Sequence, residues 1–259
     1  MMKIGFIGTG QITKAVVTGV IKSKLKVSQI FLSERNKKIS RILKFKSKKI
    51  EIIKNNQDII NKSDWVFLAV TPTVGNKILN SLKFNKNKMI VSFISTINLN
   101  QLKKITGLKS NIVRAIPLPP IALCKGPVPI YPPNSKVKKF FDKLGSTVEI
   151  SNEKLSLNFW TTSAMMAPFY EILYSLSNWL VKRGIKKENA QKYISSLFLA
   201  LSEDAFNNNK NLKKLVQESQ TPGGLNEQAV KDLRKAGFYR LLEKTSNRII
   251  KRLNKSQSN

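Results

Sequence analysis

A chain of 259 residues that is 41% hydrophobic can bury a sizeable core, in one large domain or two modest ones. Its formal charge of +31 comes from lysines scattered over every segment without interleaved aromatics, so a solvated basic surface is expected and a nucleic-acid partner is not. There is no histidine and a single cysteine, Cys124, which excludes an internal disulfide, removes the usual general acid–base and leaves almost nothing for a metal site.

The chain begins with Met2-Lys3-Ile4-Gly5-Phe6-Ile7, an apolar strand that runs into Gly8-Thr9-Gly10. Gly8 permits a tight turn, and Gly10 has no Cβ to keep a pyrophosphate from the backbone. A helix starts near Gln11 and Ile12, whose free N–H groups and dipole face such a ligand. Ala15, Val16, Gly19 and Val20 give this helix an apolar face at the 3.6-residue period. The dinucleotide fingerprint asks for a third Gly or Ala where this chain has Thr13.

A second strand over 29–33 ends at Ser33-Glu34-Arg35-Asn36, where a dinucleotide fold faces the adenosine ribose. Glu34 favours the free hydroxyl of NAD. Ser33 and Arg35, with Lys37 and Lys38 nearby, suit the 2′-phosphate of NADP, which is the expected cofactor, NAD remaining possible. A helix around 39–45 and a strand at 49–53 follow. Asn55 and Asn56 open a short helix, and Asn56 is placed in the cofactor site. Residues 64–70 form a continuous apolar strand, as expected of a parallel strand covered on both faces. Ala69, Val70, Thr71 and Pro72 end it and complete the candidate cofactor residues. Strands at 89–94 and 112–116 flank a helix at 99–105 that stops at Gly107. The prolines of 118–120 and 127–133 predict a stiff connection, before a helix at 136–144 and an edge strand at 147–150.

Beyond Ser151 no strand is expected. The pattern predicts helices over 155–181, 188–207, 212–218 and 226–253. The first carries Met165, Met166, Phe169, Tyr170, Leu173 and Leu176, and the second carries Tyr193, Leu197, Leu201 and Ala205. These stripes read as helix-packing core, with more apolar surface than one small bundle buries, so a subunit interface is expected. The fold class is therefore α/β: an N-terminal Rossmann-type doubly wound parallel sheet in 1–152, an all-α dimerisation domain in 153–253, and a disordered tail in 254–259. No apolar run is long enough to span a bilayer and no leader-like segment opens the chain, so a cytoplasmic protein without a membrane partner is expected.

Taken together, these landmarks resemble pyrroline-5-carboxylate reductases over roughly residues 3–242. They are Gly5-Phe6-Ile7-Gly8-Thr9-Gly10-Gln11-Ile12, Ser33-Glu34-Arg35-Asn36, Ser63-Asp64 through Pro72, Arg114-Ala115-Ile116-Pro117 with Pro120 and Gly126, Pro168 with Tyr170, and Thr221-Pro222-Gly223-Gly224. The chain departs from the family on the substrate side. Leu118-Pro119-Pro120 stands for Asn-Thr-Pro, Met165-Met166-Ala167-Pro168 for Gly-Ser-Gly-Pro, and Leu225-Asn226 for a small residue and Thr.

The resemblance implies hydride transfer from NADPH or NADH to the C=N carbon of 1-pyrroline-5-carboxylate or a related cyclic imine, giving L-proline in the first case, in a homodimer or larger homo-oligomer whose active crevice lies between sheet domain and helices. It also implies that Thr221 and the Gly223 and Gly224 amides hold the substrate, with Asn226 in place of the family's Thr. Two rivals share the plan. A β-hydroxyacid-type reductase would carry a catalytic lysine on the helix that here, over 165–178, has none. A non-catalytic NADP-binding relative would fit the lost substrate-side motifs.

Overall fold

The computed structural model describes residues 1–207 and 211–258, leaving aside the side chains of Pro72, Thr73, Val74, Asn76 and 256–258. The chain divides into two compact units, Met1–Trp160, with which the residues from Arg252 are grouped, and Thr161–Lys251. The division falls later than the expected boundary at 152/153, because helix α7 (Glu153–Ser163) begins in the first unit.

The first unit is a doubly wound sheet. Its elements are β1 (Met2–Ile7), α1 (Gln11–Lys22), β2 (Val27–Ser33), α2 (Lys37–Lys46), β3 (Ile50–Ile53), α3 (Asn56–Lys62), β4 (Trp65–Leu68), α4 (Pro72–Asn80), β5 (Met89–Ser92), α5 (Leu99–Thr106), β6 (Ile112–Ala115), a 3-10 helix (Pro119–Leu123), β7 (Pro127–Tyr131), α6 (Ser135–Phe141) and β8 (Ser146–Glu149). The strand order is β3-β2-β1-β4-β5-β6-β7-β8. Strands β1 to β6 are parallel, β7 is antiparallel to β6, and β8 is parallel to β7. The order reverses between β1 and β4, which places a ligand crevice beyond their carboxyl ends.

Both faces of the sheet are covered, which is why its strands read as unbroken apolar runs. On one face Ile4, Phe6, Leu32 and Phe67 pack against Val16 and Val20 of α1, Leu43 of α2 and Phe140 of α6. On the other, Ile7, Val66, Leu68 and Ile90 pack against Ile59 of α3, Leu79 of α4 and Leu102 of α5. A Cβ on Gly5 would stand 2.2 Å from Ser63 Oγ, so glycine there sets the approach of α3 to β1.

Strand β7 corrects the expectation of a proline-rich connection. Pro127 and Pro129 lie within it, although proline cannot donate to a ladder and usually rules a strand out. The strand is held on one side by a short pairing, Arg114 to Tyr131 and Ala115 to Ile130, and on the other by β8.

One buried cation braces the carboxyl ends of β5 and β6. Arg114 is 2% exposed. It ion-pairs with Glu153 at 2.5 Å, donates to the Ser95 carbonyl at 2.9 Å and lies 4.4 Å from the centre of the Trp160 ring. The same Glu153 oxygen accepts the Leu99 N–H at 2.7 Å, at the start of α5. Burial lowers the affinity of Arg114 for its proton, and Glu153 restores part of it.

The second unit is helical, with α8 (Met166–Lys182), α9 (Lys187–Asn207), α10 (Leu212–Glu218), α11 (Leu225–Lys235) and α12 (Phe238–Ser258) as far as Lys251. The expected helix over 155–181 is broken at 164–165. Pro168 falls in the first turn of α8, where its missing N–H and its ring are tolerated, and a continuous helix would place it in the interior. The expected helix over 226–253 is broken at 236–237, where Gly237 has φ +75°. Helix α12 runs to Ser258, through most of the segment expected as a tail. Asn259 lies outside the described residues.

Helices α8 and α9 pack together, with Phe169 and Phe198 ring centres 6.1 Å apart, yet much of their apolar stripe stays uncovered. Trp179 is 55% exposed and Tyr193 62%, and Tyr170, Leu176, Leu197 and Leu201 are exposed too. No helix among the described residues is long and apolar enough to cross a membrane.

Candidate functional site

The turn between β1 and α1 is built by three hydroxyls around Gly8. Gly8 has φ +100°, and a Cβ there would lie 2.5 Å from the Ala69 carbonyl oxygen. Its N–H donates to Ser33 Oγ at 3.0 Å, and its carbonyl accepts from Thr13 Oγ1 at 2.7 Å. Thr13 is thus accommodated in place of the third small residue of the fingerprint by bonding back to the turn, where its hydroxyl is buried but satisfied.

Thr9 Oγ1 donates to the Ser33 carbonyl at 2.7 Å and lies 3.0 Å from Ser33 Oγ. With its only proton on that carbonyl, Thr9 must accept the Ser33 proton. The Ser33 hydroxyl then accepts from Gly8 on one side and donates to Thr9 on the other. Ser33 shapes the turn and has no proton left for a phosphate.

Gly10 is different. A Cβ on it meets no protein atom within 4 Å. Gly10 caps α1, a helix of 12 residues with no side-chain cap and no acidic residue in its first turn. The N–H groups of Gln11 and Ile12 therefore open this helix without a competing side-chain anion, and the helix dipole favours negative charge there.

A cleft of about 590 Å³ lies over this turn, bordered by Gly8, Thr9, Gly10, Arg35, Asn36, Lys37, Ala69, Val70 and Thr71. A second of about 230 Å³ shares Gly8, Arg35, Lys37 and Val70 with it and adds Ser33, Glu34, Lys54, Asn56 and Ile78. Nine of the twelve expected cofactor residues thus border these two clefts at the switch point, all but Gln11, Ile12 and Pro72. Asn36 is committed to capping α2 through the Ile39 N–H at 3.1 Å. Pro72 is the first residue of α4, and its side chain lies outside the described residues. Lys54 was missed in the sequence, because nothing local marks the end of β3 as facing the same rim as Arg35. Three cations, Arg35, Lys37 and Lys54, border the second cleft against one carboxylate, Glu34. Among the described residues no cluster of metal-binding side chains exists.

In the second unit, 221–224 form a tight turn into α11, with Gly223 at φ +72°. The donors expected to hold substrate have internal partners. The Gly223 N–H donates to Glu227 Oε2 at 2.9 Å, the Gly224 N–H to the Thr221 carbonyl at 2.8 Å, and Asn226 Nδ2 to the Ser219 carbonyl at 2.9 Å. Glu227 also pairs with Lys231 at 3.0 Å. The Gly223 N–H and then Lys231 hold its carboxyl below the usual carboxylate range. Glu227 was overlooked in the sequence, although an acidic residue three places after a cap is the signal for such a back-bond. The Asn226 amide, with its nitrogen on Ser219, keeps Oδ1 as an acceptor. Leu225 is 84% exposed beside it.

Comparison with known proteins gives two family models and a set of relatives along nearly the whole chain. Residues 3–96 match the model described as NADP oxidoreductase coenzyme F420-dependent, and 154–256 match the pyrroline-5-carboxylate reductase dimerisation model. Pyrroline-5-carboxylate reductase of Arabidopsis thaliana is 23% identical over 91% of this chain and 88% of its own. Pyrroline-5-carboxylate reductase 3 of Danio rerio is 25% identical over 92% and 85%. Among solved structures, a pyrroline-5-carboxylate reductase from Coxiella burnetii superimposes with a TM-score of 0.85 at 22% identity, covering 98% of both chains. The Plasmodium falciparum pyrroline carboxylate reductase with NADP bound gives 0.84 at 21%, covering 99% of this chain and 98% of that one.

Proposed function

We propose that this chain, which belongs to the pyrroline-5-carboxylate reductase family, is an NADPH-dependent reductase of 1-pyrroline-5-carboxylate or a related cyclic imine. The observation that carries the proposal is the turn at the switch point, where open space over Gly10 meets an uncapped helix start and a cationic rim. These residues fit a dinucleotide. Gln11 and Ile12 would hold its pyrophosphate through their N–H groups, and Arg35, Lys37 and Lys54 its 2′-phosphate. NADPH, when bound, supplies the hydride. NADP bound to the Plasmodium relative supports the choice.

The chain's remaining task is to present the imine. A ring imine is basic enough to carry a proton near neutral pH, so no histidine is needed to activate it. Asn226 Oδ1 can accept the iminium N–H, its orientation fixed by the bond from Nδ2 to Ser219. Thr221 and the backbone of Gly223 and Gly224 shape the turn that holds the ring.

The deciding experiment follows NADPH oxidation over a panel of cyclic imines and 2-keto acids. Oxidation with imines alone is expected. Oxidation with keto acids would favour the β-hydroxyacid reading, and tight NADPH binding without any oxidation the non-catalytic one. On the best imine, Asn226→Ala should cut turnover about 10- to 100-fold, the range for one hydrogen bond to a charged group worth roughly 1.5–3 kcal/mol, and leave NADPH binding alone. Full activity in that variant would reduce Asn226 to a turn-stabilising residue.

Cofactor choice follows from the rim. Because the Ser33 hydroxyl is engaged, the 2′-phosphate falls to the cations. Arg35→Ala should weaken NADPH by about 10- to 100-fold and NADH far less, a charge-assisted phosphate contact being worth roughly 1.5–3 kcal/mol. Equal losses in a fluorescence titration of both cofactors would instead assign control to Glu34 and the ribose hydroxyls.

A homodimer and a cytoplasmic location belong to the same proposal. The match of 154–256 to a dimerisation model supports the dimer, as does the uncovered stripe of Trp179, Tyr193 and Leu201. Light scattering should give twice the chain mass at micromolar concentration; a stable monomer would refute the dimer.

A further inference from the structure

The turn to which the imine is assigned already holds an anion. Glu227 reaches back from the first turn of α11 with both carboxylate oxygens engaged, Oε2 on the Gly223 N–H at 2.9 Å and Oε1 on Lys231 at 3.0 Å. Two partners on two sides keep this carboxylate at the turn. Gly223, at φ +72°, has open space where a Cβ would stand. Beside it stands the exposed Leu225, whose apolar side chain offers a carboxylate no hydrogen bond.

We infer that Glu227 is a specificity-determining residue: its carboxylate takes the Gly223 N–H and keeps a negative charge at the turn, so the site favours a cyclic imine without a carboxylate over 1-pyrroline-5-carboxylate. The physics is that of two like charges competing for one set of donors. They cannot share it at ordinary cost, and the incoming one must displace the resident one or bind without it. An uncarboxylated ring meets no such competition, and Leu225 offers it an apolar wall. The inference rests on the imine-reductase reading and narrows its substrate class.

The test uses the full chain with NADPH and measures kcat/KM for 1-pyrroline and 1-pyrroline-5-carboxylate in the parent and in Glu227→Gln. Glutamine keeps the length and loses the charge, so an incoming carboxylate can displace it from the Gly223 N–H. The parent should prefer 1-pyrroline. The variant should shift the ratio of the two kcat/KM values about tenfold towards the carboxylate, mainly through KM, since like-charge repulsion at binding is what has been removed. Calorimetric titration of L-proline should show its affinity rising by a similar factor in the variant. A parent that prefers 1-pyrroline-5-carboxylate, or a ratio unmoved in Glu227→Gln, overturns the inference, leaves the reductase reading standing and makes Glu227 a helix cap. If neither imine oxidises NADPH in either protein, the reductase reading itself has failed and the inference falls with it.

Discussion

Replacing Gly10 by leucine should abolish NADPH binding and leave the melting temperature of the protein where it was. The two halves of this expectation come from one measurement. A Cβ on Gly10 meets nothing within 4 Å, so the folded chain without ligand has room for the side chain. The backbone there, at φ −95° and ψ −167°, is extended and open to any residue. What leucine would occupy is the space over the start of α1, the place a pyrophosphate must enter to reach the Gln11 and Ile12 amides. Loss of those contacts should weaken NADPH at least 100-fold, about 2.7 kcal/mol. Gly8→Ala provides the contrast. Its Cβ would stand 2.5 Å from the Ala69 carbonyl oxygen at a residue with φ +100°, so that variant should lose stability as well as binding. If Gly10→Leu binds NADPH like the parent in a fluorescence titration, the cofactor lies elsewhere. If it unfolds, the space over Gly10 is not as open as the structure has it.

The same contrast shows what could be read without coordinates. Both glycines were legible as a dinucleotide turn, because strand, glycine pair and helix start are all local patterns. Their different reasons were not. Gly8 is excluded from having a side chain by the end of β4, some sixty positions along the chain, and Gly10 only by what would bind. Ser33 was legible only in part, for a similar cause. Its place at the end of β2 was right, but its proton is used inside the turn, and only the geometry of Thr9 decides that.

The parallel strands were legible as far as β6, since an apolar run covered on both faces needs no partner to be seen. Strand β7 was hidden by Pro127 and Pro129, whose missing donors are harmless only because of how its neighbours pair. In the helical part the stripes were legible, whereas the breaks at 164–165 and at Gly237 were not. Each break depends on where a Pro or Gly falls within a turn, and a helical period alone passes over both. Of the residues expected to hold substrate, Thr221, Gly223 and Gly224 lie in one turn and Asn226 in the first turn of α11. What escaped the sequence is that Glu227 returns to that turn and brings its charge with it.

The largest expected loss of stability lies away from both clefts. Glu153→Ala should destabilise the first unit by about 3–5 kcal/mol, the usual result of stranding one partner of a buried ion pair. Arg114 is 2% exposed, and its Nε already lacks a hydrogen-bond partner, so it has no route to solvent once the carboxylate is gone. The Leu99 N–H would be stranded too, since it donates to the same carboxylate oxygen at 2.7 Å. For a chain of this length each kcal/mol moves the melting temperature by roughly 2–4 °C, so calorimetry should show a fall of roughly 6–20 °C. Removing both charges separates the contributions. Arg114→Met with Glu153→Met relieves the stranded cation and refills its volume, which in buried pairs is often neutral or stabilising. Here recovery should be incomplete, because the Ser95 carbonyl and the Leu99 N–H each keep an unmet bond, at a cost of about 1–3 kcal/mol apiece. The double variant should therefore melt between the single variant and the parent. A double variant as stable as the parent would show that Glu153 serves only to neutralise Arg114. One no better than Glu153→Ala would show that the two backbone bonds, and the hold they give on the ends of β5 and α5, carry the whole effect.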